Sequence, residues 1–220
     1  MLAVERTAYL TIDEGPAEDF RKKVEYLNAK GIRAIWFCMG EALEKFSEEA
    51  IFAIKAGHII GNGSYDHTDL SAISLHDASE QIGQTDQIIN ELYAGAKAAR
   101  TAKLFRFPYM QHEVMVEHFA GIDRVLEELG YSQIPFENSA GMGAGHHVTF
   151  TCDTFDLGDA SAFSKEGGLL YAAGNHIIKL HDWIGLVPFQ ALIDKLLSSG
   201  LGFGLPQEID AAADNHLAYT

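Results

Sequence analysis

Short runs rich in β-branched and aromatic residues alternate with longer stretches of helical periodicity along nearly the whole chain. The β-type runs are Ala8 to Ile12, Ala34 to Cys38, His58 to Gly61, Leu104 to Phe107, Val148 to Cys152, His176 to His181 and Leu201 to Gly204. Between them, Ala17 to Lys30, Glu41 to Ala56, Asp77 to Arg100, Met115 to Gly130, Ser161 to Ala173 and Pro188 to Ser199 carry apolar residues at helical spacing. Parallel strands must be joined by a crossover of a dozen or more residues, so strands separated by such helices are expected to pair in parallel. About seven such units predict an α/β fold, most economically a closed or nearly closed (β/α) barrel, with an open doubly wound sheet as the alternative. In the first helix Phe20, Val24 and Leu27 make the apolar stripe, flanked by Tyr26. Glu18, Asp19, Arg21, Lys22 and Lys23 are expected largely to face solvent, and Lys30-Gly31 marks the end.

The 220 residues predict one domain over 1–220. With 47% hydrophobic residues the chain can bury a core large enough to offset its conformational entropy, which excludes a disordered class. Sixteen Lys and Arg against 31 Asp and Glu give a formal charge of −15, and the basic residues are scattered. Such a chain offers no electrostatic footprint for a phosphate backbone, so no nucleic-acid partner is expected. The longest apolar runs, such as Gly200 to Pro206, fall far short of the roughly 20 residues of a membrane helix, and no membrane insertion is expected. Cys38 and Cys152 form neither a disulfide framework nor a zinc-finger spacing and read as small buried hydrophobes. No apolar leader precedes the charges of MLAVERTAYL. Compartment therefore stays open: cytoplasmic if Met1 is the native start, extracellular or cell-envelope if a leader was removed. The glycine-rich segment 137–145 is read as an exposed loop, since it matches no phosphate-binding pattern.

In a parallel barrel, reacting groups sit at the carboxyl ends of the strands. That rule selects Asp13 and Glu14 after the first strand, Asn62, Ser64, Asp66 and His67 after the third, and Arg106, Pro108 and Tyr109 at the fourth. It also selects Asp153 and Asp156 after the fifth and His181 and Asp182 at the sixth. Each has an ordinary structural explanation: helix capping for the Asp13-Glu14 pair, turn formation for Asp153 and Asp156, a plain ion pair for Arg106. Independent explanations do not account for five strand ends converging on one rim.

These residues also carry a resemblance. Thr11 to Pro16, TIDEGP, is similar to the TFDDGP motif of polysaccharide deacetylases, the NodB-homology domains of carbohydrate esterase family 4. His58 to Leu70, Arg106 to Tyr109, Asp153 to Leu157 and Lys179 to Asp182 resemble the second to fifth family motifs, in order, so the match runs from Tyr9 to Asp182. The resemblance implies a distorted (β/α)₇ barrel and a hydrolase that removes N- or O-acetyl groups from a carbohydrate with metal assistance. Asp13 would be the general base, Arg106 would orient it, His181 would be the general acid and Asp156 would tune it. A carboxylate and an imidazole on either side of a reacting carbonyl can divide the two proton transfers of amide hydrolysis. Tyr109, on the turn after Pro108, would direct its backbone N–H at the oxyanion. Lys179 and Leu180 would line the substrate pocket.

The departures from the family pattern fall on the metal and the pocket. The family ligands would be Glu14, Gly63 and His67, so one is missing and a glutamate stands for an aspartate, leaving zinc or another divalent cation with two donors where a catalytic zinc normally has three. Asp66, His58, His146 and His147 are candidates to supply the third. Leu157 replaces a stacking tryptophan, Lys179 replaces an apolar wall, and Trp183 is placed to refill some of that space. Three readings follow: a carbohydrate deacetylase, a metal-independent hydrolase of the same superfamily acting on a small cyclic amide or imide, and an inactive carbohydrate-binding barrel. An inverting glycosidase using Asp13 and Asp156 explains fewer of the motifs.

Overall fold

The computed structural model describes residues 7–109, 116–131, 148–153, 168 and 175–205. Strand β1 is Thr7–Gly15, followed by α1 Phe20–Ala29, β2 Ile35–Cys38, α2 Gly40–Lys45, α3 Ser47–Lys55, β3 Ile59–Asn62 and α4 Leu75–Ala96. Then come α5 Val116–Glu128, β4 Val148–Asp153, β5 Asn175–His181, α6 Leu186–Ser198 and β6 Gly202–Phe203. The strands run in the order β3-β2-β1-β5-β4 and every pairing is parallel, as the intervening helices require. Ala8 pairs with His176 of β5 and also with Phe203 of β6, which places those two strands on opposite edges of β1. The second edge is therefore divided, with β6 at Thr7 and Ala8 and β2 from Thr11 to Gly15.

Alternation along the strands sorts their side chains into two apolar groups. Leu10, Ile12, Trp36, Cys38, Ile60, Ile178 and Leu180 face the helices and meet Phe20, Val24, Leu27, Leu43, Phe189 and Ile193. Each fully buried side chain of this size stabilises the fold by roughly 1.5–3 kcal/mol. The opposite face carries Tyr9, Ile35, Phe37, Ile59, Leu104 and Ile177, drawn together from separate strands into the concave interior of a distorted barrel. That inner cluster is the apolar floor on which the polar ends of the strands stand.

Local chemistry explains the main boundaries. Helix α1 ends in a Schellman arrangement: Gly31 adopts φ 70°, its N–H donates to Asn28 O, and Ile32 N–H donates to Leu27 O. Helix α4 is capped by Ser74, whose Oγ accepts from Asp77 N–H at 3.1 Å.

Four expectations need correction. The stretch Glu41 to Ala56 is two helices, because Phe46 leaves helical geometry at φ −121°, ψ 42°. Among the described residues Leu104 to Phe107 contributes a parallel bridge, Asn62 to Phe105, and not a regular strand. Strand β1 extends past Ile12 to Gly15, so Asp13 belongs to the ladder and pairs with Phe37 and His181. Lys23 does not face solvent: it is fully buried, and its Nζ bonds Asp182 Oδ1 at 2.7 Å and Asp19 Oδ1 at 2.8 Å. Three residues beyond Phe20 it falls on the buried stripe, and the carboxylates make its burial possible. Apart from Gly168, the expected helix Ser161 to Ala173 lies outside the described residues, as do the loop 137–145, His146, His147, Asp156 and Leu157.

Candidate active site

Above the apolar floor, the inward face continues as Thr11 and Asp13 on β1 and Lys179 and His181 on β5. In the β1–β5 ladder Thr11 is registered with Lys179 and Asp13 with His181. Arg106 enters from the segment beyond β3, where its backbone N–H bonds Asn62 O. Its Nη1 makes a short ion pair with Asp13 Oδ1 and a 3.1 Å bond to Thr11 Oγ1, while its guanidinium lies 4.1 Å over the Phe37 ring. Two hydrogen bonds and a ring face fix the guanidinium, and through it the Asp13 carboxylate. Burial raises the Asp13 carboxyl above the usual carboxylate range, while the charges of Arg106, Lys179 and His181 pull it down. A carboxylate so placed is a better proton acceptor than an exposed one.

A bulge shapes the next residue. Asp13 pairs with Phe37 and Gly15 with Cys38, so Glu14 is the extra residue, in left-handed geometry at φ 62°. Such bulges re-aim a side chain, and here Glu14 Oε1 comes to 3.6 Å from His67 Nε2. His67 (φ 63°), Ser64 (φ 69°) and Tyr109 (φ 47°) are also left-handed, and the His67 and Tyr109 rings meet edge to face at 4.8 Å. Left-handed geometry costs a non-glycine residue roughly 1–2 kcal/mol. Of the described residues that bear this cost, only Lys97, at the end of α4, lies away from the rim.

Behind the rim, buried bonds hold the parts in place. Asp182, next to His181 and so on the opposite face of the strand, accepts from Ala17 N–H at 2.6 Å and pairs with Lys23, while its own N–H donates to Asp13 O at 2.8 Å. Asn62 donates to Ile82 O and Tyr131 Oη and accepts from Ser64 N–H. Tyr131 Oη in turn donates to Asp86, which also pairs with Arg100 and Lys103. Burial and the Asp86 carboxylate push the Tyr131 phenol up, keeping it a neutral donor.

The model of the family described as polysaccharide deacetylase matches residues 3–134, more than half of the chain. The chain belongs to the polysaccharide deacetylase family. Its relatives include a peptidoglycan-N-acetylglucosamine deacetylase of Bacillus cereus, 34% identical over 101 residues that make up 46% of this chain and 35% of that protein. The chain spans about a third of the length of the curated relatives it matches. Among solved structures, a family 4 carbohydrate esterase from Streptomyces lividans in complex with acetate is 22% identical, with a TM-score of 0.67 over 93% of this chain and 95% of that one. A pseudoenzyme of the same esterase family from Bacillus anthracis is 17% identical, with a TM-score of 0.63 over 91% of this chain and 63% of that one. These likenesses establish the distorted-barrel fold.

Polysaccharide deacetylases of this family are generally metal-dependent. In this member the donors Glu14 and His67 come together, but Gly63 has no side chain, and a Cβ built on it would stand 3.2 Å from Cys38 O. Among the described residues no three His, Cys, Asp or Glu side chains converge, so these donors do not complete a three-ligand zinc site. His58 is not the missing ligand. Its Nδ1 accepts from Ala34 N–H and Trp36 Nε1–H, its Nε2 faces Asn28 Oδ1, and burial lowers its pKa to about 4. Asp66 is engaged in its own turn, accepting from Thr68 N–H at 2.9 Å.

Two further placements bear on the expected pocket. Leu180 points away from His181 into the core beneath the helices and builds no wall of the site. Lys179 is on the inward face, two residues before His181, so its charge belongs to the site and not to the outer surface. Among the site's supporting groups, Thr11 and Lys23 went unrecognised in the sequence. Thr11 lies two residues before Asp13 and so on its face of the strand, and Lys23 lies on the Phe20 stripe; strand and helix periods were the available signals. Trp183, half exposed, stacks on His181 with ring centroids 5.3 Å apart and planes 25° apart.

Proposed function

We propose that the chain hydrolyses an acetyl amide or ester on a carbohydrate, by proton transfer through Asp13 and His181. The observation that carries this reading is the registry of Asp13 with His181 on the inward face of β1 and β5, with Arg106 bound to Asp13. Asp13 takes a proton from water as its oxygen adds to the acetyl carbonyl. His181, as imidazolium, gives a proton to the leaving nitrogen or oxygen as the bond to the acetyl carbon breaks, and acetate and the free sugar amine or hydroxyl depart. Arg106 holds the Asp13 carboxylate in its accepting orientation, and Lys179 adds a positive charge beside the negative charge that develops on the carbonyl oxygen. Tyr109, in its left-handed turn, offers its backbone N–H to that oxygen, and Asp156 tunes His181. Peptidoglycan amino sugars are the favoured substrates because the Bacillus cereus relative is named for them.

The test is acetate release from N-acetylglucosamine oligomers and acetylated peptidoglycan fragments. Asp13→Asn and His181→Ala should each reduce turnover by roughly 10²–10⁴-fold, with the far-ultraviolet spectrum unchanged. Near-normal turnover in either variant would remove that residue from the mechanism.

The two-donor set of Glu14 and His67 favours a second reading, a hydrolase of small cyclic amides that needs no metal. Turnover of such amides that survives chelation, without release of acetate from sugars, would establish it over the first.

A further inference from the structure

Strand β5 ends at His181, so Asp13 and His181 form the last registered rung of the β1–β5 ladder. Ends of strands are where pairing opens most readily, whereas reacting groups must be held within about 0.5 Å of their productive geometry. Asp182 resolves that conflict. Its N–H donates to Asp13 O, its carbonyl oxygen and Oδ1 both accept from Lys23 Nζ, and its Oδ2 accepts from Ala17 N–H. All four polar atoms of the residue after His181 are thus bonded, and each of these partners lies within residues 13–23, the segment that carries Asp13. Gly15 makes room for the carboxylate, because a Cβ there would stand 3.0 Å from Asp182 Oδ2. Lys23 extends the tie to Asp19 Oδ1 at 2.8 Å. Burial raises the Asp19 carboxyl, but Lys23 and the backbone of Leu186, at the start of α6, hold it below its usual range.

Stability alone is a poor account of this arrangement. Lys23 is fully buried on the stripe of Phe20, Val24 and Leu27, where an apolar side chain would fill the space without the cost of desolvating an ammonium group. What an apolar side chain cannot supply is direction. Charge-assisted hydrogen bonds fix the Asp182 carboxylate and carbonyl at set angles and distances, and the peptide that follows His181 is fixed with them. None of the five sequence motifs includes Lys23.

We propose that Lys23 and Asp182 are positioning residues, a buried clamp that closes the last rung of the β1–β5 ladder and holds Asp13 and His181 at the separation their two proton transfers require. This rests on Asp13 and His181 as the reacting pair, and it applies to acetylated sugars and cyclic amides alike. Neither residue of the clamp touches the substrate, because Asp182 and Lys23 lie on the helix side of the sheet and the pair faces inward.

The test separates position from stability. Lys23→Met, assayed on the substrate that the parent hydrolyses and at a temperature where circular dichroism shows it folded, should lower kcat by about 10–100-fold, the scale of a misplacement of about an ångström, with KM little changed. Lys23→Met/Asp182→Asn leaves no buried charge stranded, so it should regain thermal stability without regaining kcat. Amide hydrogen exchange followed by NMR should show the backbone N–H at position 182 exchanging faster in both variants relative to the amides of β2 and β3. A double variant whose kcat returns with its stability, or a folded Lys23→Met with parental kcat and parental exchange at position 182, would overturn the clamp and leave the Asp13–His181 mechanism standing. Near-normal turnover by Asp13→Asn or His181→Ala, or a parent that hydrolyses neither acetylated sugars nor cyclic amides, would overturn the reacting pair and the clamp's role with it.

Discussion

Replacing Lys23 with methionine removes a buried charge from behind the rim of the site without removing much volume. The structure sets the size of the effect. Lys23 and Asp182 have fully buried side chains, and Lys23 Nζ bonds Asp182 Oδ1, Asp182 O and Asp19 Oδ1. Without it the Asp182 carboxylate keeps the Ala17 N–H and loses its only countercharge within bonding distance among the described residues. Removing one partner of a buried pair costs roughly 3–5 kcal/mol, a large part of the ~5–15 kcal/mol that holds a domain together. At about 2–4 °C per kcal/mol for a chain of this size, the melting temperature should fall by roughly 6–20 °C. The loss should also depend on pH. Burial already raises the Asp182 carboxyl, against the pull of Lys23, and the substitution raises it further. A carboxyl whose folded pKa lies above its unfolded value binds more protons when folded, so its penalty is absent at low pH and grows as pH rises through the folded pKa. Urea denaturation of Lys23→Met should therefore show its largest deficit near neutrality and a smaller one in acid. Adding Asp182→Asn should recover part of the loss, since it removes the stranded charge. A deficit below about 1 kcal/mol at neutral pH, the range of solvent-exposed pairs, would refute the reasoning.

His58, with its pKa lowered to about 4 against about 6.5 in an unfolded chain, gives a stability contribution that is present above pH 6.5 and lost as pH falls through 4. The loss is roughly 3 kcal/mol at about 1.4 kcal/mol per unit, and His58→Gln should flatten that acid limb in denaturation experiments; an unchanged slope would reject the assignment. Tyr131→Phe deletes the hydroxyl shared by Asn62 and Asp86 and should cost about 1–3 kcal/mol. A denaturation midpoint equal to that of the parent would show the hydroxyl to be dispensable. Gly63→His restores a donor near Glu14 and His67 but presses its Cβ toward Cys38 O, so zinc affinity should rise by calorimetric titration while the protein loses about 1–3 kcal/mol. Unchanged zinc affinity would mean that a side chain at 63 does not reach the other two donors.

The alternation of short strands and helical stretches was enough to predict parallel pairing, because crossover length leaves a chain few other choices. Asp13, Arg106 and His181 were legible for a related reason: they stand at or just beyond carboxyl ends of strands, where polar groups interrupt apolar runs. The phase of a strand was harder to read. Lys179 and Leu180 are neighbours, and which one enters the barrel depends on the β5 register set by Ala8 to Asp13, not on either residue's polarity. Lys23 was misjudged because its partner, Asp182, lies 159 residues away. The break at Phe46 carries no glycine or proline to announce it, and the Leu104 to Phe107 run has β-type residues but forms an isolated bridge, Asn62 to Phe105, and not a regular strand among the described residues.

The divided edge of β1 has a consequence for how the molecule comes into being. Thr11 bonds Ile178 O across 167 residues, and Asp13 acquires its neighbour His181 only through that same ladder. A chain emerging from the ribosome can pair β1 with β2 early, but the other flank of β1 stays bare until β5 has been made. Pairings this remote in sequence are slow to form, and during that interval one rim of the nascent strand is open to other chains. On the proposed mechanism the base, Asp13, is therefore synthesised well before its acid partner, His181. Neither a prematurely terminated chain nor a fragment ending before β5 can assemble the pair, so hydrolytic competence, on the proposed mechanism, is itself a signal that translation of this fold is complete.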